Sequence, residues 1–362
     1  MVSKRILGSI SARAAAGGIL ALILAFTVIA QQAQYSKPPG AEYQGQAFTF
    51  NRILDDVYQA VGTGKVAVGC NASIVINAND VMVVDTHISP AAAWALVEEL
   101  KTITPKPVKY VVNTHFHFDH VHGNQVFPGD VEIIGHDFTR AMILAGKSKS
   151  GRSYDFFIGG LPAQIERTKQ QILVSIKPDE RTKLQEQLTV QENELAATSA
   201  VKPAPPTITM TQSMTLYRGK REIRLLYSGR GHTGGDIVVF LPTERVLMTG
   251  DLLTAGISYI GDAYPMEWID TLEKVKALDF DFVLPGHGQA FKGKDRFGYF
   301  QEYLKDFWSQ AEKLNAAKVP WEEAAKRIDM RAHAAHYPDI KDAGVFPHGV
   351  ARAYELMDGT AQ

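Results

Sequence analysis

Short apolar runs rich in β-branched residues, each closed by a turn residue, recur along this chain from Val66 onward. Ser73–Ile76, Val81–Val84 and Val108–Val112 are runs of this kind and predict strands. Between the last two, Ala93, Leu96, Val97 and Leu100 recur at helical spacing within Pro90–Leu100 and predict a helix. The pattern returns at Ile223–Tyr227, Ile237–Leu241, Val246–Thr249 and Phe282–Leu284, with Trp268–Leu278 helical before the last of these. Strands that alternate with helices in both halves of a chain define an α/β architecture.

Three stretches depart from that texture. Lys4, Arg5 and Arg13 precede an apolar run from Ala14 to Ala30, the layout of a signal peptide over residues 1–30, with an uncleaved anchor as the competing reading. Either way the body is expected to be exported, periplasmic or secreted, and a membrane enters only if the segment stays uncleaved. Residues 31–45, polar with Pro and Gly, look like a linker into a body spanning 46–296. Inside that body, residues 159–206 are rich in Gln, Glu, Lys and Leu, with Lys177-Pro178 dividing two helical segments and VKPAPP as a stiff exit. This reads as a helical hairpin insertion, either a solvated charged pair or a lid or dimerisation arm. Residues 297–362 read as a C-terminal helical segment.

Composition then narrows the chemistry. The chain has 362 residues, 45% hydrophobic and 21% charged, with 38 Lys plus Arg against 39 Asp plus Glu. A net charge of -1 provides no field for a phosphate backbone, so nucleic acid is not expected as a partner. A single cysteine, Cys70, read as a small buried residue on a strand, forbids an intrachain disulfide or a multi-thiolate cluster. Metal chemistry would have to use His and carboxylate.

Directly after the run Val108–Val112 comes Asn113-Thr114-His115-Phe116-His117-Phe118-Asp119-His120, an HxHxDH pattern. Two alternating histidines on extended backbone, followed by Asp and His where the chain turns into a helix, suit two adjacent metal ions. Three further residues stand just past predicted strands or in glycine-rich turns: His232 in GRGHTGGD, Asp251 in VLMTGD and His287 in LPGHG. Strand ends of open α/β sheets are where sites are built.

The order HxHxDH, GHTGGD, TGD, PGHG, from about Val66 to Gln289, resembles the metallo-β-lactamase superfamily. The resemblance implies an αββα sandwich with a dinuclear site at one edge of its sheets. It implies His115, His117 and His232 at one metal, Asp119, His120 and His287 at the other, and Asp251 bridging them. The pattern is similar to the glyoxalase II and lactonase branch, and in part to the metallo-β-lactamase subclass with Asp and two His at its second zinc. Seven nitrogen and oxygen donors without sulfur favour zinc, iron or manganese over thiophilic metals without choosing among the three, and zinc, two per chain, is taken as the expected metal. The expected activity is hydrolysis of a small-molecule ester, thioester, lactone or β-lactam by a metal-bridging hydroxide, with Asp119 also orienting it or taking its proton. Two alternatives stay open: a mononuclear iron persulfide dioxygenase, which would leave His287 spare, and a non-catalytic metal-binding protein.

Other residues carry weaker signals. Asp85, in Asp85-Thr86-His87 after a strand, could orient a ligand or merely make a turn, and His122 reads chiefly as loop packing. His333, His336 and His348 read as structural, and Arg152, Tyr154 and Phe156 could line a pocket mouth.

Overall fold

The structure, a computed structural model, describes residues 35–361. The expected signal peptide and the first residues of the expected linker lie outside the described residues. Among these residues no helix is long and apolar enough to cross a membrane.

Two sheets face each other. The first has seven strands in sequence order: β1 (Phe48–Leu54), β2 (Val57–Gly62), β3 (Ala72–Ile76), β4 (Val81–Val84), β5 (Val108–Val112), β6 (Glu132–His136) and β7 (Ile208–Met210). Its pairs are antiparallel up to β4 and parallel from β4 to β7. The second sheet has six, in the order β13 (Phe291–Lys292), β12 (Phe282–Pro285), β11 (Val246–Gly250), β10 (Ile237–Leu241), β9 (Arg221–Tyr227), β8 (Ser213–Arg218), with β11 and β12 parallel.

The strand period of two explains the layering. On β4, Met82 and Val84 join Ile237, Val239 and Leu241 of β10 in the core between the sheets, while Val81 and Val83 face the other way. Those outward residues pack on Leu96, Val97 and Leu100 of α1 (Pro90–Leu100). On the second sheet, Val238 and Phe240 pack outward on Trp268 and Leu272 of α7 (Pro265–Lys276) and Phe297 and Phe300 of α8 (Asp295–Ala316). Strands β4 and β10 are thus apolar on both faces, and the result is a helix–sheet–sheet–helix sandwich, the fold the sequence led us to expect.

The remaining helices are α2 (Phe118–Val121), α3 (Asp137–Leu144), α4 (Arg152–Phe157), α5 (Leu161–Val174), α6 (Pro178–Ser199), α9 (Trp321–Arg327) and α10 (Pro347–Met357). Helices α5 and α6 pair with each other, and their junction leaves Leu173, Val174 and Ile176 exposed. Residues 35–45 carry no regular element, yet they are tied down: the Tyr35 carbonyl accepts from Trp94 Nε1 at 3.1 Å and Tyr43 donates to Glu99 at 2.9 Å. The sequence pattern missed β1 and β2, which precede Val66, and the short β6, β7, β8 and β13.

Candidate metal centre

All seven candidate ligands converge on one edge of the sandwich. The loop after β5 supplies His115 and His117, and the short α2 that follows it Asp119 and His120; the ends of β11 and β12 supply Asp251 and His287; the turn entering β10 supplies His232. Their donor atoms form three overlapping trios, His115/His117/His232, His115/His120/Asp251 and Asp119/His120/His287, each with donors within 4.8 Å of one another.

Hydrogen bonds at the far side of each ring decide which nitrogen faces inward. His232 Nδ1 donates to the Tyr259 carbonyl at 2.9 Å, so its Nε2 carries a lone pair. His117 Nε2 lies 3.1 Å from Asp262 Oδ2 and donates to it, which leaves Nδ1 as a lone pair. Those two lone pairs face each other at 2.9 Å, an arrangement that a cation between them stabilises and that is otherwise repulsive. His115 Nδ1 donates to Thr114 Oγ1 at 3.0 Å, which in turn donates to Asp85 Oδ2 at 2.8 Å. His120 Nδ1 donates to the same Asp85 oxygen at 2.8 Å. The inward atoms His115 Nε2, His120 Nε2 and Asp251 Oδ1 are buried without a hydrogen-bond partner. Buried polar atoms are rarely left so unless something else satisfies them.

Asp251 stands between the trios, its oxygens 3.5 Å from His120 Nε2, 3.7 Å from His232 Nε2 and 3.2 Å from His287 Nε2. Asp119 Oδ2 lies 3.2 Å from His287 and 3.5 Å from His120. Burial, helped by the neighbouring imidazoles, holds His115 well below the usual range, and burial brings His232 down to about 3; both are neutral, as ligation requires. Burial also opposes charge on His287, but Asp251 and Asp119 outweigh it and raise that ring to about 10. The same carboxylates, with Asp85 and the Cys70 sulfur, raise His120 against its burial. Asp119 and Asp251, which burial alone would raise, are both lowered by these imidazoles. The pocket therefore has more carboxylate than neutral rings can compensate, and it favours cations. The donor set fits the metals that the sequence led us to expect.

Local backbone makes the convergence possible. Asp85 sits at φ 65°, a conformation rare for a residue with a side chain, and from there its carboxylate serves Thr114 and His120 together. Its reading as an orienting residue is the one the geometry supports. A Cβ on Gly286 would lie 2.3 Å from Asp251 Oδ1 and 2.8 Å from His120 Cε1, so only glycine leaves both side chains in place.

Several supporting residues escaped the sequence analysis. Asp262 orients His117. Gln59 and Asn71 hold the loop that carries His287: the Asn71 amide donates to the Pro285 and Gly288 carbonyls at 3.2 and 2.7 Å, and Gln59 Nε2 to the same two. Arg152 does reach the site loop, donating to the Gly261 carbonyl at 3.0 Å, and it pairs with Glu355 of α10; Arg352 on the same helix donates to the Ala263 carbonyl at 3.0 Å. His348 is less remote than its spacing suggested, since its Nδ1 lies 3.2 Å from the Tyr259 hydroxyl. His333 bonds to Asp306 and His336 stacks on Tyr299, both away from the cluster. His122 is buried at the end of α2, with no partner for either ring nitrogen. Cys70 is buried but lies in the turn before β3 instead of on a strand, close enough to His120 to interact with it, and burial pushes its thiol up to about 12.

The sequence profile of the metallo-beta-lactamase superfamily matches residues 66–287, and the chain belongs to that superfamily. A linear primary-alkylsulfatase from Pseudomonas sp. is 24% identical over 297 residues, 76% of this chain and 53% of that protein. The alpha subunit of a 2,4-dinitroanisole O-demethylase from Nocardioides sp. is 26% identical over 211 residues, 57% of this chain and 49% of that one. The chain thus spans about half the length of these curated relatives. A solved metallo-beta-lactamase from Pontibacter korlensis shares the fold, with a TM-score of 0.50 at 18% identity over 71% of this chain and 99% of that one.

Proposed function

We propose that this chain is an exported, dinuclear zinc-dependent hydrolase of a small-molecule ester, thioester, lactone, β-lactam or sulfate ester. The observation that carries the proposal is the approach of His117 Nδ1 and His232 Nε2 to 2.9 Å, beside buried, partnerless His115 Nε2, His120 Nε2 and Asp251 Oδ1. His115, His117 and His232 would hold one ion, Asp119, His120 and His287 the other, and Asp251 would lie between them. When bound, such a pair polarises the scissile group and lowers the pKa of water. The chain's own part is to fix the geometry. Asp85 and Asp262 lock the His120 and His117 rings, and Asp119 would accept the proton of the attacking water. The new bond joins the water oxygen to the scissile centre, the bond to the leaving group breaks, and the leaving group departs with a proton.

The relatives favour hydrolysis at a small molecule, and the alkylsulfatase adds sulfate esters to the substrate classes worth testing. The deciding experiment is metal analysis of the purified protein together with a panel of nitrocefin, lactones, thioesters and primary alkyl sulfates. Two ions per chain and cleavage of any panel member are expected. One iron per chain with oxygen consumption on a persulfide would replace this reading with the dioxygenase.

A further inference from the structure

Beside the cluster, four large apolar side chains stand partly in solvent: Phe156, Phe157, Phe346 and Ile257, exposed by 51%, 47%, 39% and 37%. Contiguous apolar surface of this kind on a folded chain marks a place where something binds. Phe157 and Phe346 lie nearly parallel, 15° between their planes at 6.3 Å, and Tyr259 closes the angle at 6.2 and 5.7 Å. Phe157, Ile257, Tyr259 and Phe346 wall a groove of about 560 Å³ whose lining also includes the buried Tyr303 and Phe307. That volume is within the range of small-molecule sites.

Three links tie the groove to the cluster. The Tyr259 carbonyl holds His232, and the Tyr259 ring is 6.0 Å from that of His117. Phe157 packs 6.2 Å from Phe118, the residue before Asp119. Ile257 follows Ala255 by two positions, and the Ala255 N–H donates to the His287 carbonyl at 3.1 Å. His287 is also the open side of the cluster, its side chain 40% exposed. None of the seven candidate ligands lines the groove itself; the Tyr259 ring stands between the two, and a substrate bound at the cluster would extend past it into the groove.

The polar atoms near the cluster end are already engaged. The Tyr259 hydroxyl pairs with His348, and Ser258 Oγ donates to Thr254 Oγ1 at 3.2 Å. The charged residues of the lining, Asp339, Lys341 and Asp342, lie on the same C-terminal stretch as Phe346 and form one part of the wall. Along the part walled by Phe157, Ile257 and Tyr259 a polar substituent would lose its water and find the side-chain hydroxyls already engaged, whereas hydrocarbon loses nothing.

From this juxtaposition we infer that the groove binds a hydrocarbon arm of the substrate while the scissile group sits at the histidine and aspartate cluster. The inference rests on the hydrolase reading above and deepens it.

The test has two arms. In the first, kcat/KM is measured on the zinc-loaded protein for thioesters of one thiol with straight acyl chains of two to ten carbons. Each methylene that enters the groove should raise kcat/KM roughly 2- to 4-fold, the upper figure corresponding to full burial. Ile257→Asp and, separately, Phe157→Ser should flatten that dependence, while Leu173→Ser at the distant α5–α6 junction should leave it intact. In the second arm, calorimetry measures binding of 1-octanol to chelator-treated protein, which needs no metal and no turnover. Octanol should bind the wild-type chain, and Ile257→Asp should abolish the heat. Turnover of short thioesters with no dependence on chain length overturns the groove and leaves the hydrolase standing, as does a dependence that survives both substitutions. Failure to cleave any thioester leaves the hydrolase reading to the other members of the panel, and the octanol arm then decides alone, with absence of wild-type binding refuting the hydrocarbon site.

Discussion

Replacing Gly286 by alanine tests the site geometry with a single methyl group. The added Cβ would lie 2.3 Å from Asp251 Oδ1, 2.8 Å from His120 Cε1 and 3.0 Å from the Gly250 carbonyl carbon. An ordinary contact opens to roughly 3.5 Å, so Asp251 Oδ1 must retreat by about 1 Å. A carboxylate can rotate that far cheaply, and the loss of stability should be only about 1–3 kcal/mol, the usual cost of overpacking. For a ligand the same 1 Å is expensive, on the order of 100-fold in turnover. Gly286→Ala should therefore fold with unchanged circular dichroism, retain less metal after dialysis by plasma emission analysis, and lose about 100-fold in turnover on whichever substrate the panel identifies. Gly298→Ala is the matching control: it lies within α8 with no atom near its Cβ position, and alanine there should stabilise the helix by roughly 0.5–1 kcal/mol without touching metal content. If Gly286→Ala keeps two ions per chain and turnover within about 3-fold of wild type, Asp251 and His120 do not hold metal in the arrangement described.

Asp85→Asn keeps the shape and tolerates the positive φ, but the amide has a single acceptor oxygen and an NH2 donor in place of the second, so metal affinity should fall about 10- to 100-fold in a chelator competition; unchanged affinity would mean that Asp85 does not orient His120. His287→Ala should abolish hydrolysis at limiting zinc and recover part of it as zinc is added, whereas activity independent of zinc would assign that residue to the turn alone. Arg352→Ala removes a buried donor to the Ala263 carbonyl and a guanidinium 4.8 Å over the Tyr264 ring, and should lower stability by about 1–3 kcal/mol in urea unfolding, with a denaturation midpoint equal to wild type as the contrary result. N-terminal sequencing of secreted protein should find a start near Gln31, and an intact Met1 in a membrane fraction would favour the anchor.

The seven residues that converge on the candidate site could be read from the sequence because they cluster in it: four of the seven fall between His115 and His120, and the other three sit in glycine-bearing turns after or before apolar runs. The long inner strands could be read for a related reason, since burial on both faces leaves near-continuous Val, Ile and Leu. Strands β1 and β6 lacked that mark: β1 buries only Phe48 and β6 ends in Gly135-His136, so neither shows an unbroken apolar run. The orienting residues were hidden more completely. Asp262 meets His117 across 145 positions, and Gln59 and Asn71 meet the Pro285 carbonyl across 226 and 214. No local spacing encodes such a contact, because each partner is an ordinary polar residue until the sheets stack and bring it to the edge. The same reasoning explains the C-terminal helix. Arg352 and Glu355, with Arg152 at the start of α4, anchor the loop of residues 258–264 that presents the Tyr259 carbonyl and Asp262 to the His232 and His117 rings. A segment beyond the end of the superfamily match thus helps set the orientation of His117 and His232, and the candidate metal centre depends on residues that contribute no donor atom to it.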